Sequence, residues 1–382
     1  MFKRTVPADL SIFRSDLADF CEESGFEKVL VDTVTMKQPR NNNTAIYTPG
    51  SGYFMFSAMD DNVSIADGTQ YEGHRMVVKD PAGDCYIHLI FYSYNYSVSR
   101  YGNGELHGYM DGYLSTGWTV GAVDSHPGIC KMTVWRSLPL TFNGLDMYSG
   151  TTSEGRLWVH VAVEERPLLF NHMGFGSMEK SLDFTGGDFI APNSKCFIPP
   201  AGAAQTSVNI FGAYAGYSHN SGSTSLASFW PSGFYCPDLD MDGKVSPDNL
   251  YRMMCGNNVT RPGMERGCTS LRLTFNSSTV TPANGQGGEL SSMNMPMPNP
   301  WSGTAPLLPI YVYASDGTDI RYKGQAGYFA GVRATKVDSY YPKDEIVLGP
   351  DTWVTYPASA KVGIVPDIYQ CYNQGYAVLK NG

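Results

Sequence analysis

Charge is in short supply in this chain of 382 residues. Asp, Glu, Lys and Arg make up 16% of it, against about 25% for an average globular domain. The 27 Lys and Arg residues form no run, and the balance is acidic, at −9. Nucleic-acid binding draws on clustered cations that neutralise many phosphates, so this composition argues against it. Long hydrophobic runs are missing too. No stretch of about 18 apolar residues is present, which argues against a membrane-spanning helix. The opening segment, Met1 to Phe20, has no apolar core of the kind an export signal carries, so synthesis and assembly in a cytoplasm are expected. The eight cysteines (Cys21, Cys85, Cys130, Cys196, Cys236, Cys255, Cys268 and Cys371) include no CxxC pair. A zinc knuckle or redox motif therefore lacks support, and reduced, mostly buried thiols are expected. There is no G-x-S-x-G elbow, no H-E-x-x-H helix and no Walker loop. The seven histidines are scattered, with no two placed two to four residues apart as metal pairs would be.

What the chain does have is glycine (41), proline (24) and tyrosine (25). Few charges with many Tyr, Gly, Ser and Asn residues describe short strands joined by turns. They also suit large interfaces, which are poor in charge and rich in aromatic residues and Met. One helix is expected, from about Asp9 to Ser24: Leu10, Phe13, Leu17, Phe20 and Cys21 recur on one face, Asp9 or Ser11 can cap the start, and Gly25 ends it. A helix this short must dock its stripe on a sheet or on a neighbouring subunit.

The cleanest strand signal is Leu157 to Val163. Leu157, Val159, Val161 and Val163 share one face, and Trp158, His160 and Ala162 the other. A strand break is expected at Glu164 to Pro167, followed by a glycine-interrupted stretch with His172, Met173 and Phe175. That stretch reads either as a contact loop around His172 or as a packed corner between strands. Further strands are expected at Lys28–Thr35, Gly52–Met59, Cys85–Tyr96, Lys131–Leu138, Leu307–Ala314, Gly331–Tyr340, Glu345–Leu348, Thr352–Tyr356 and Ala377–Lys380. Their spacing, with turn signals between them, suggests a sandwich or barrel. Ser97 to Gly128 reads as a long surface excursion with short strand pieces. The Pro/Ala/Gly stretch from Ala191 to Ala204 reads as a boundary. The fold expected is mainly β: sandwich or barrel-like domains of short antiparallel strands with one N-terminal amphipathic helix. It divides into 1–195 (helix plus β domain) and 196–382 (a β-rich domain with long loops at 238–303).

Sites are few. Asp238, Asp240, Asp242 and Gly243 match the first six positions of a calcium loop. The twelfth position is Asn249, not the bidentate Glu, so the alternative is an aspartate-rich turn leading to a short helix at Pro247–Met254. Calcium is the one cofactor offered; otherwise none is expected. The acidic pairs Asp60-Asp61 and Glu164-Glu165 are the carboxylates open to glycoside chemistry, with solvated turn residues as the plainer reading. Interface candidates are Tyr92, on the tyrosine face of Cys85–Tyr96, His172, Phe175 and Trp353. Trp118, Trp135, Trp230, Trp301 and Trp353 are the rings open to glycan stacking.

Three pieces carry a resemblance. They are LWVHVAVEE…FNHMGFGSMEK…TGGDF (157–189), GYFAGVRATKVDSYYPKDEIVLGPDTWVTYPASAK (327–361), and the opening helix with Gly25-Phe26-Glu27 and the strand around Gly52 to Met59. Together they resemble a family of tailed-bacteriophage virion proteins, structural and tail- or baseplate-associated. The resemblance spans most of the chain outside about Pro199 to Pro300, and it brings no catalytic signature. It implies a non-enzymatic component of the phage particle, made in the bacterial host cytoplasm, in a tail, baseplate or collar. The implied partners are copies of itself and other virion proteins. The alternatives are a receptor- or carbohydrate-binding virion module that meets host polysaccharide, and an envelope-polymer hydrolase.

Overall fold

The computed structural model describes residues 1–37, 54–55, 70–95, 106–118, 133–181, 186–193, 213–215, 229–233, 252–253, 299, 301–302, 304–315, 322–337, 340–357 and 374–381. The chain begins with β1 (Phe2–Thr5), α1 (Leu10–Glu23), β2 (Glu27–Lys37), β3 (Phe54–Met55), β4 (Gln70–Lys79), β5 (Tyr86–Asn95), β6 (Leu106–Ser115) and β7 (Thr133–Leu138). It continues through β8 (Gly144–Thr151), β9 (Leu157–Arg166), β10 (Leu169–Ser177), β11 (Glu179–Lys180), β12 (Asp188–Asn193), β13 (Ala213–Ala215), β14 (Phe229–Gly233) and β15 (Arg252–Met253). Last come β16 (Leu308–Ser315), β17 (Tyr322–Lys336), β18 (Glu345–Leu348), β19 (Asp351–Pro357) and β20 (Gln374–Leu379). The protein is mainly β, with antiparallel sheets and one helix near the N-terminus.

Three sheets position everything that follows. The central sheet has the order β1-β8-β9-β10-β12. The N-terminal sheet runs β3-β2-β4-β5-β6-β7. The C-terminal sheet runs β11-β17-β20-β19-β18, with β16 also paired to β17. A small sheet joins β13, β14 and β15.

The alternation in β9 decides how the layers stack. Val159, Val161 and Val163 point into one core with Leu145, Met147, Met173 and Phe175, the strands of the N-terminal sheet, and the Leu10, Phe13, Leu17, Phe20 and Cys21 stripe of α1. Each buried aliphatic side chain there contributes about 1.5–3 kcal/mol. Trp158 and Ala162 point the other way, into a second core with Phe170, Phe189, Phe329, Val354, Tyr356, Tyr376 and Val378 of the C-terminal sheet. The central sheet is thus buried on both faces. The helix follows its expected limits: Asp9 Oδ1 accepts the Ile12 N–H at 2.9 Å, and Gly25 takes a left-handed φ of +101° just past the end. Its apolar stripe is used up inside the chain, not on a neighbour.

β9 ends at Arg166, just before Pro167 and within the expected stop. Several expectations are corrected. The His172 stretch is neither loop nor corner. It is strand β10, buried at all nine positions. Its glycines serve close approach: a Cβ on Gly176 (φ +107°) would lie 2.5 Å from the Leu157 carbonyl oxygen. Within the expected surface excursion, β6 is an interior strand between β5 and β7. Arg252–Met253, expected to end a short helix, is strand β15. The division at 195/196 does not separate two cores, because Tyr148, Trp158 and Phe170 share one with Phe329, Tyr356 and Tyr376. Most of the expected strand at Gly52–Met59 lies outside the described residues.

Candidate functional site: the polar seam between two sheets

The densest grouping of chemistry-bearing side chains lies where the central sheet meets the C-terminal sheet. β8 points Asp146 and Tyr148 into the seam, and β9 points His160 and Glu164, each on the opposite face from the valines. β1 supplies Arg4, β10 supplies His172, β19 supplies Tyr356, and the turn before β18 supplies Lys343. Arg4 spans the two carboxylates, with Nη1 2.6 Å from Asp146 Oδ1 and Nη2 2.9 Å from Glu164 Oε2. Lys343 closes the ring from the other side, with Nζ 2.6 Å from Glu164 Oε2 and 3.3 Å from Asp146 Oδ2. Lys343 holds a left-handed φ of 75°, a strained conformation for a residue with a Cβ, kept in place by this clasp and by its N–H bond to the Thr355 carbonyl.

Asp146 is the deepest member, with its side chain 1% exposed. Tyr356 OH donates to its Oδ2 at 3.0 Å. With that proton committed, Tyr148 OH must donate to Tyr356 OH, 2.5 Å away. Burial raises the pKa of both phenols, so they stay protonated donors. Burial also opposes ionisation of Glu164, but hydrogen bonds from Lys343 and Arg4 outweigh it and hold the carboxyl below its ordinary range.

Two imidazoles complete the seam. His172 Nε2 lies 2.9 Å from the Pro357 carbonyl oxygen, which can only accept, so Nε2 carries the proton. Nδ1 of the neutral ring is then an acceptor, and His160 Nε2–H donates to it at 3.2 Å. Both rings are fully buried. The Tyr376 ring stands edge-on to His172 at 4.8 Å.

Chemically this is a closed circuit. A general acid needs a carboxyl that keeps its proton near neutrality, whereas Glu164 is held ionised by two cations. The solvated turn expected for Glu164-Glu165 is corrected for Glu164, whose side chain is only 13% exposed. A second pairing of catalytic residue types, His88 with Ser115 at 2.8 Å, runs in the wrong direction for a nucleophile. Ser115 Oγ donates to the Gly117 carbonyl, so it accepts from His88 and is not deprotonated by it. Among the described residues, no three His, Cys, Asp or Glu side chains are grouped to hold a metal.

The residues singled out from sequence fare unevenly. Tyr92, His172, Phe175 and Trp353 were expected at an interface, but all four are buried within the chain. Tyr92 and Phe175 belong to the core beneath α1. Trp353 packs on Ile346 and Ala377, with the Arg333 guanidinium 5.1 Å from its ring. Asp238, Asp240 and Asp242, and the pair Asp60-Asp61, lie outside the described residues. Of the tryptophans, Trp118 stacks on His88, while Trp301 is 92% exposed. The seam itself escaped the sequence reading apart from Glu164 and His172. The available signal was the polar face of β9, where His160 and Glu164 stand opposite a run of valines. No family model and no curated protein matches the chain.

Proposed function

We propose that the chain is a structural component of a tailed-bacteriophage particle, placed in the tail, baseplate or collar and working through interfaces with copies of itself and neighbouring virion proteins. The carrying observation is how the side chains are used. The seam's ionisable groups are spent on one another, holding two sheets together. Large apolar side chains instead reach solvent: Trp301 (92% exposed), Tyr341 (70%) and Val347 (68%). Exposed apolar groups beside a tightly clasped interior suit a part that is built into something larger. The sequence resemblance supplies the particle. Quantitative mass spectrometry of purified virions tests the reading. A low copy number in simple ratio to tail proteins is expected, as ring symmetry requires. Abundance matching the major capsid protein would move the chain to a shell or tube, and absence from the particle would sink the proposal.

Trp301 favours a second reading. An open indole at the tip of a turn closed by the Asn299 N–H to Thr304 O bond is suited to stacking on a sugar ring. A glycan array of bacterial surface polysaccharides separates the two. Binding that is lost in Trp301→Ala would favour a receptor-binding module.

A further inference from the structure

We propose that two copies of this chain pair through strand β18, antiparallel, across a two-fold axis centred on Val347. This rests on the reading that the chain works through subunit interfaces, and it names the surface. β18 is the last strand of its sheet, paired with β19 on one side and, among the described residues, with nothing on the other. Natural edge strands are protected by shortness, charge, proline, bulges or cover. β18 is short, at four residues, and its one charge, Glu345, is taken up by Lys380. Its sequence, EIVL, has no proline or lysine, and its register with β19 runs unbroken from Glu345↔Val354 to Leu348↔Asp351. Among the described residues nothing covers it, and Val347 is 68% and Leu348 45% exposed.

The backbone is set up for a partner strand. Antiparallel residues alternate between hydrogen-bonded and non-bonded pairs. The Thr355 N–H donates to the Asp344 carbonyl, so by alternation Ile346 and Leu348 spend their groups on β19, while those of Glu345 and Val347 point outward. Facing residues on paired strands share a face of the sheet. Ile346 faces Trp353 on the outer side, and Glu345 faces Val354, which points to the central sheet. Val347 therefore lies with Glu345, and Leu348 with Ile346.

A two-fold axis perpendicular to the sheet preserves these faces, which leaves four registers, one centred on each residue of β18. Centring on Leu348 sets Glu345 against Asp351. Centring on Glu345 sets two carboxylates against each other. Centring on Ile346 sets Leu348 against Asp344. Centring on Val347 pairs Val347 with its own copy, Ile346 with Leu348 and Glu345 with Gly349. Only this register buries both exposed aliphatic residues and opposes no charge, and Glu345 keeps its local partner, Lys380 Nζ at 2.6 Å. Phe2 extends the apolar surface, its ring 5.7 Å from that same Lys380.

Sedimentation equilibrium of the full chain, over a concentration series, tests this. The wild type is expected to dimerise. Val347→Lys and Val347→Glu should each weaken association by about tenfold or more, because like charges then meet at the axis. An equimolar mixture of the two variants should recover the dimer, which also shows that both are folded. If both variants self-associate as well as the wild type, the interface lies elsewhere and this inference falls while the subunit reading stands. A wild type that stays monomeric at every concentration also overturns it, and the virion copy number then decides the broader reading separately.

Discussion

Trp158 is the residue on which the two halves of the fold close. It leaves β9 toward the C-terminal sheet, and its ring lies against the backbone of Gly331 on β17. A Cβ added to Gly331 would fall 1.9 Å from the ring. Gly331→Ala should therefore destabilise by about 1–3 kcal/mol through overpacking. Urea denaturation would measure this, and Trp158→Phe should recover part of the loss in a double-mutant cycle. The neighbouring imidazoles make a different prediction. Burial lowers the pKa of both, and His172 is pushed down to about 4 even though its bond to the Pro357 carbonyl raises it. In the unfolded chain each imidazole takes its proton near pH 6.5. Between about pH 6.5 and 4 the unfolded state thus binds more protons, and stability falls as pH falls. The loss for His172 alone is roughly 3 kcal/mol. Urea midpoints measured from pH 7 to pH 4 should show this decline. His172→Gln, which keeps a donor for Pro357, should flatten it in part, and adding His160→Gln should flatten it further. An unchanged slope in the double variant would move the pH dependence to the carboxylates.

Elements are joined by charge at a second place, on the far face of the central sheet. Arg156, at the mouth of β9, donates from Nε to Asp80 at 3.0 Å and from Nη2 to Asp188 at 2.7 Å. Asp188 is also held by Ser177 Oγ and by the N–H groups of Asp84 and Cys85. The network pins the β4–β5 turn to β12, and all three charges are buried. Arg156→Met would leave two buried carboxylates without their cation, at a cost of about 3–5 kcal/mol. Thermal unfolding should record the loss, and Asp188→Asn in the same background should return some of it. A drop no larger than that of a surface Arg→Met control would show the network to be incidental. How legible these elements were in sequence follows from their surroundings. α1 meets the core with one face, and β9 turns its valines to one core and its rings and Ala162 to the other, so the periods in Leu10 to Cys21 and in Leu157 to Val163 placed them. β10 is buried on both faces, so its order of Phe170, Asn171, His172, Met173 and Gly174 carries no alternation and reads as a loop. β6, rich in glycine, reads only as short strand pieces of a surface excursion, and its interior place between β5 and β7 does not show in its sequence. The seam was the least visible feature. Arg4, Asp146, Glu164 and Lys343 are far apart in the chain, and nothing local to any of them announces the other three.

At the scale of the whole molecule, the central sheet is a shared wall. One face belongs to a core with α1 and the N-terminal sheet, and the other to a core with the C-terminal sheet. A wall shared in this way couples regions with no direct contact. Loosening the first core shifts β9 and β10, and their opposite faces carry Trp158, Phe170 and the imidazole pair. Phe13 is the place to test this. It is fully buried, edge-on to Phe91 at 5.0 Å and stacked on Phe142 at 5.4 Å, in the core that α1 shares with the N-terminal sheet. Phe13→Ala removes about 3–5 kcal/mol of packing. If the three sheets open as one unit, amide hydrogen exchange in β19 and β20 (Val354, Tyr376 and Val378) should quicken by the same free energy as exchange in β5. If the C-terminal amides keep their wild-type protection while β5 loses its own, the two cores melt separately. The clasp of Arg4, Asp146, Glu164 and Lys343 would then be a hinge between two units instead of a weld within one.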